Sequence, residues 1–225
     1  TISKNDHTKL ISHQIYFMSE LIGHLYLIDE NQNQSFTIYD QFALNRCGEF
    51  IAQYFWKFHQ QSENQTIKKN EWLFEAVRGQ LSKEAILDHI YRVYPDSQIN
   101  EVIVSVIPST SNVLPRKVND NFLAGTLMSI RHIFEKEGFF LIASKDKNNS
   151  CYILLLLNQL NRKTLHERLK NAFSTFSHAD PKILALESAK WLSFGKPVNA
   201  VDNISQSYQT ALATLHYQKN IEQLT

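Results

Sequence analysis

Residues 191–215 read WLSFGKPVNAVDNISQSYQTALATL, and the fold of the C-terminal half follows from how this stretch divides. Residues 191–194 are mostly apolar and suit a buried strand. Gly195 and Pro197 then break regular structure. Asp202 is placed to cap a helix, because its carboxylate can accept a bond from an otherwise unpaired backbone N–H. Beyond it Ile204, Tyr208, Ala211 and Leu215 recur at spacings of 4, 3 and 4, which puts them on one helical face. The segment is expected to run strand, glycine turn, loop, amphipathic helix. Tyr208 would face the core with its hydroxyl in need of a partner, and is expected to pack the last helix onto a sheet.

Upstream, strand and helix alternate. Residues 102–107 are β-branched and apolar, a buried strand. After a loop over 108–118, Asp120 is expected to cap a helix with Leu123, Leu127, Ile130 and Phe134 inward, stopped by Gly138. Residues 139–143 and 151–157 read as a hairpin joined by the polar turn SKDKNNS. Residues 162–176 form a helix with Leu165, Leu169, Ala172 and Phe176 inward, and Asp180-Pro181 breaks the chain. Residues 183–194 hold one or two strands, and the Tyr208 helix closes the domain. The order β-α-β-β-α-β-α predicts an α+β domain with a ferredoxin-like βαββαβ sheet and helices on one face.

The N-terminal part is different. Residues 14–18 and 21–28 are strand-like runs about a Ser-Glu turn, and one hairpin cannot stand alone. Residues 38–60 read as a helix in which Leu44, Cys47, Ile51, Tyr54 and Phe58 form a stripe, with Phe42, Phe50, Phe55 and Trp56 largely off it. A helix apolar on two sides predicts cover on two sides, the hairpin on one and a second copy of the chain or further helices on the other. Residues 63–70 are polar and are expected to be a flexible joint, with a continuous helix through them as the alternative. Trp72, Leu73, Val77, Leu81, Ile86, Ile90 and Val93 mark a second helical region, interrupted at Gly79 and ended by Tyr94-Pro95-Asp96-Ser97.

Composition limits the function classes. With 225 residues and 43% hydrophobic content the chain can bury a sizeable core. A net charge of +1 gives no global attraction to nucleic acid or membrane. No apolar run approaches the ~20 residues of a membrane span. Cys47 and Cys151 are the two cysteines, and both are expected as reduced core residues, which fits a cytoplasmic protein. The chain does not begin with Met, which leads us to expect a fragment of a longer protein.

Gly195, Pro197, Val198, Ser207, Tyr208, Ala211 and Leu215 stand where the pattern G-x-P-V … SY-x-x-A-x-x-A-L places its residues in PucR/CdaR-type bacterial transcriptional regulators. Thr214 takes the place of the second alanine. In those proteins the segment belongs to a GGDEF-like domain, whose element order matches that predicted here. LFEAVRGQLSKEAI resembles the linker helices that precede that domain. LIGHLYLID with FTIYDQFALNRCGEFIAQYFW resembles the C-terminal half of a GAF-type sensor domain. The resemblance implies three regions: a partial GAF-like remnant (1–64), a helical linker (65–98) and a degenerate GGDEF-like domain (99–225). It also implies a cytoplasmic homodimer that reaches DNA only through a helix-turn-helix output domain beyond Thr225, with a possible small-molecule effector.

The chemistry of a cyclase is not expected. An active diguanylate cyclase carries glycines and a metal-binding acid at the hairpin, and a second acid at the end of the first strand, because Mg²⁺ needs oxygen ligands. Here the turn 144–150 has no glycine, its acid Asp146 lies between two lysines, and the first strand ends in Ser-Val-Ile-Pro-Ser. Lys145, Lys147 and Asn148 read as a solvated turn. The nine histidines, His24, His132 and His166 among them, show no metal spacing, and there is no CxxC, P-loop, G-x-G-x-x-G or G-x-S-x-G. Lys68-Lys69 and Arg162-Lys163 are isolated basic pairs. We expect no enzyme, no catalytic residue, no metal and no cofactor; the alternative is a domain that lost turnover but still binds a nucleotide or metabolite.

Overall fold

The computed structural model describes residues 3–5, 8–17, 20–29, 36–108, 116–146, 148, 151–160, 162–177, 192–199 and 201–222. Within them the chain is α+β: six α-helices and two antiparallel sheets. It divides into two compact units, Thr1–Gln60 and Gln61–Thr225.

In the first unit β1 (Ser3–Asn5), β2 (Thr8–Phe17) and β3 (Glu20–Asp29) form a meander. β2 and β3 are the expected hairpin, lengthened at both ends. β1 adds a strand that Ser-Lys-Asn, too short and polar to alternate, does not announce. Helix α1 (Ile38–Lys69) starts from a capping box: the Thr37 N–H donates to Asp40 Oδ2 (2.7 Å) and the Asp40 N–H to Thr37 Oγ1 (3.3 Å). The Thr37 backbone bond, with its hydroxyl, holds the Asp40 carboxyl below its ordinary pKa.

The expected stripe on α1 splits. Leu44 is buried, but Cys47, Tyr54 and Phe58 are exposed. Trp56, read as off the stripe, meets Phe17 at 5.9 Å. The side that meets the sheet carries Leu44 and Gly48, where a Cβ on Gly48 would run into the His13 ring of β2, and Cys47 lies about 100° away from Gly48 around the helix. Cys47 is therefore not a core residue. The aromatic residues Tyr39, Phe42, Phe50, Tyr54 and Phe58 are all more than half exposed.

The second unit is built on β4 (Glu101–Pro108), β5 (Phe139–Asp146), β6 (Cys151–Asn158) and β7 (Ser193–Phe194). Their order is β5-β6-β4-β7, every pair antiparallel, with Ser105 opposite Leu154 and Phe194, and Ile142 opposite Leu155. Both central strands, β4 and β6, are buried at all eight positions. Alternation then demands cover on both faces. Val102, Val104 and Val106 point into a core with α2 (Trp72–Val77), α3 (Lys83–Val93) and α6 (Ile204–Glu222). Ile103 and Ile107 point into a second core with α4 (Arg116–Lys136) and α5 (Leu165–Ser177).

Helices on one face were expected; helices cover both. The pair read as linker is part of the core, so residues from both the 65–98 and 99–225 regions share one unit. The expected joint at 63–70 is helical to Lys69, because Glu63 and Asn70 are buried and bonded rather than solvated. Gly79 and Gly138, at φ 71° and 78°, end α2 and α4 as expected.

Leu127, Ile130 and Phe134 on α4, and Ala172 and Phe176 on α5, face inward as read. The helix over 162–176 opens as a 3-10 turn. Helix α4 begins at Arg116, so Asp120 lies inside it and does not cap it. Asp202 lies within a 3-10 turn, Val201–Asn203, that leads into α6 at Ile204, rather than capping that helix. The readings on Leu123, Asp180-Pro181, residues 183–190 and Trp191 fall on positions whose side chains or backbone lie outside the described residues.

Candidate functional site

Asp146 ends β5 opposite Cys151, at the hairpin where a cyclase would display its acid. It is fully buried. The Tyr208 hydroxyl donates to Asp146 Oδ2, the Asn148 N–H donates to Oδ1 (2.8 Å), and the Cys151 thiol stands 4.0 Å from Oδ2. The reading of this acid as part of a solvated turn is corrected. A carboxylate removed from water persists only when donors surround it, and both oxygens meet donors from within the fold. Lys145 stays exposed, with its ammonium 5.6 Å from the Tyr152 ring centre. Lys147 lies outside the described residues.

The residues of 195–215 meet at one place, over the middle of β4. The Gly195 N–H donates to the Val104 carbonyl (2.8 Å), and Val198 exchanges two bonds with Val102 (2.8 and 2.9 Å). β7 does not pair with the Val104 N–H, which donates instead to Ser207 Oγ (2.8 Å). The Lys196 N–H donates to Thr210 Oγ1 (2.8 Å). One and two turns on from Ser207, Ala211 and Leu215 are buried in the core, and Pro197 is half-buried. Thr214 turns its hydroxyl back on the Thr210 carbonyl (2.9 Å).

These contacts clip α6 to β4 through Ser207 and to the β5–β6 hairpin through Tyr208. Gly195 is required for close approach: a Cβ there would run into the Ser207 carbonyl, which is backbone and cannot swing away. Gly195→Ala should cost about 1–3 kcal/mol by overpacking. Thermal unfolding will show it as a lower melting temperature, and an unchanged midpoint would refute the close packing.

Two further polar centres were not read from the sequence. On the last turns of α1, Glu63 is buried and accepts from Arg131 Nη2 of α4 at 2.7 Å. Arg131 Nη1 also bonds the Leu141 carbonyl and the Tyr94 hydroxyl. Tyr94 donates to the same carbonyl (3.0 Å) and stacks on Phe140 at 4.3 Å. Burial by itself would lower the Arg131 pKa, but the Glu63 charge and hydrogen bond outweigh it and the net direction is up. Burial raises that of Tyr94. Asn70, directly after the end of α1, donates from Nδ2 to the Ala143 carbonyl (3.2 Å).

At the other end of β6, Arg168 donates to Asn158 Oδ1 (2.7 Å) and to the Glu137 carbonyl (2.8 Å). Asn158 donates to Glu101 Oε2 (3.2 Å). Burial pulls the Arg168 pKa down. Its i, i+4 place between Thr164 and Ala172 on the inner face of α5 was the available signal.

Among the described residues no three His, Cys, Asp or Glu side chains gather as a metal site. His24 stacks on Tyr26 on an exposed strand position, and His132 and His166 lie on α4 and α5. No helix is long and apolar enough to cross a membrane among the described residues. No family model, curated protein or solved structure matches the chain.

Proposed function

We propose that this chain is the sensory and dimerisation region of a bacterial transcriptional regulator of the PucR/CdaR type. It would pass a signal to a DNA-binding domain outside the present sequence. In this reading residues 99–225 hold a ferredoxin-like, GGDEF-like domain without catalysis, residues 65–98 a helical linker packed on it, and residues 1–64 a GAF-like remnant. The strand order β5-β6-β4-β7 with β-α-β-β-α-β connections supports the ferredoxin-like part. The observation that carries the proposal is Asp146. The acid at the cyclase position lies beneath Tyr208 and accepts its hydroxyl in the packing of α6.

Dimerisation rests on α1. Its exposed aromatic residues Tyr39, Phe42, Phe50, Tyr54 and Phe58 form more apolar surface than a solitary helix keeps in water. We place a second copy of the chain on that face, which suits a regulator reading repeated half-sites on DNA. Light scattering at tens of micromolar should give twice the chain mass, and Phe50→Glu/Tyr54→Glu should give the monomer. A wild-type monomer at that concentration sinks the dimer.

A further inference from the structure

Helices α5 and α6 diverge over β7 and leave a groove of about 440 Å³. α5 lines it with His166, Leu169, Lys170 and Phe173, the i, i+3, i+4, i+7 face of that helix. Leu192 and Phe194 make an apolar floor, and the Phe173 ring stands edge-on to Phe194 at 6.2 Å. Phe173 keeps 39% of its surface exposed, so an apolar face remains open at the lip.

Among the described lining residues the polar side chains are His166, Lys170, Thr214 and Gln218. Lys170 carries a positive charge, His166 adds a ring nitrogen one turn before it, and no carboxylate lines the groove among the described residues. On the α6 wall the Ser193 hydroxyl donates to Gln218 Oε1. That fixes the amide oxygen and leaves the amide nitrogen as the donor end of Gln218. Donors with one cation beside an apolar floor complement an anion with an apolar body. The one lysine among the described lining residues is too little for a polyphosphate, and the floor of Leu192 and Phe194 offers a sugar no partners for its hydroxyls.

We propose that this groove binds a small organic monocarboxylate with an aromatic or branched aliphatic body. The carboxylate meets Lys170 and Gln218, and the body lies on Phe173 and Phe194. Gly195 and Pro197 also line the groove, so an occupant touches the segment that clips α6 to β4. Its role as the effector site rests on the sensory reading above; binding itself does not.

Titration calorimetry on the full chain, with 3-phenylpropionate and 4-methylpentanoate against their neutral amides, tests the site. At least one acid should bind about tenfold tighter than its amide, and Lys170→Glu should remove that preference. Thr214→Phe, which fills the groove, should abolish binding, whereas the remote Lys83→Glu should leave it unchanged. Equal affinity for acid and amide in the unaltered chain, an acid preference that survives Lys170→Glu, or no binding of either acid at millimolar concentration overturns the proposal. Hydrogen exchange along α1 and the mass of the assembly, followed in the same titration, read transmission separately. Binding without change in either leaves the groove as a site and overturns its effector role.

Discussion

Arg131→Met will destabilise the Gln61–Thr225 unit by about 3–5 kcal/mol, a large share of the stability of a domain this size. The reason lies in what is left behind. Glu63 is buried, and Arg131 is the ion-pair partner found for it among the described residues. Removing the guanidinium leaves a carboxylate in a site poor in water. It also strips a donor from the Leu141 carbonyl, although Tyr94 still donates there. Methionine keeps much of the volume, so the loss reports charge rather than a cavity. The double variant Glu63→Leu/Arg131→Met should recover most of it, because a buried pair replaced by apolar residues is often close to neutral. Chemical denaturation of the four proteins gives the coupling energy. If the double variant is as unstable as Arg131→Met, the pair is not the source of the loss.

The same pair ties the end of α1 to its neighbours. Helix α1 contributes residues to both compact units, and Glu63 lies just past the division. A displacement of α1 along its axis would strain a bond that also ties α4 and β5.

The parts legible in the sequence were those whose signal is local. The face Ile204, Tyr208, Ala211, Leu215 is buried as its spacing requires, and Leu127, Ile130 and Phe134 behave likewise. The hairpin of β5 and β6 followed from a polar turn between apolar runs. The cover of the sheet on both faces was also written in β4, since VIVSVI is apolar on both of its alternating sides apart from Ser105. Assigning 72–93 to a linker removed the helices that supply that cover. On α1 the error was of another kind. Aromatic residues occur all round the helix, so periodicity could not tell which side meets the hairpin, and Cys47 and Tyr54 were placed inside. The polar centres were not legible because their members are far apart in the chain: Asp146 and Tyr208 are separated by 62 positions, Glu63 and Arg131 by 68. A tyrosine predicted to be buried demands a hydroxyl partner, but nothing in spacing says which.

That partner makes Tyr208 the second residue of large expected effect. Tyr208→Ala should cost about 3–5 kcal/mol, because the ring is almost wholly buried between α6 and the sheet and its removal leaves a cavity. Part of that figure is polar, and Tyr208→Phe isolates it. Phenylalanine keeps the ring and removes one donor from a buried carboxylate, at about 1–3 kcal/mol. The Asn148 N–H still donates to Oδ1, which keeps Asp146 from losing all its bonds. If the hydroxyl acts through Asp146, Tyr208→Phe will cost less in an Asp146→Asn background, since a neutral amide loses less when a donor is withdrawn. Equal costs in the two backgrounds would mean that the hydroxyl stabilises α6 by another route. In that case the buried acid at the hairpin would no longer be explained by packing, and the case against a ligand-binding role for it would have to be reopened.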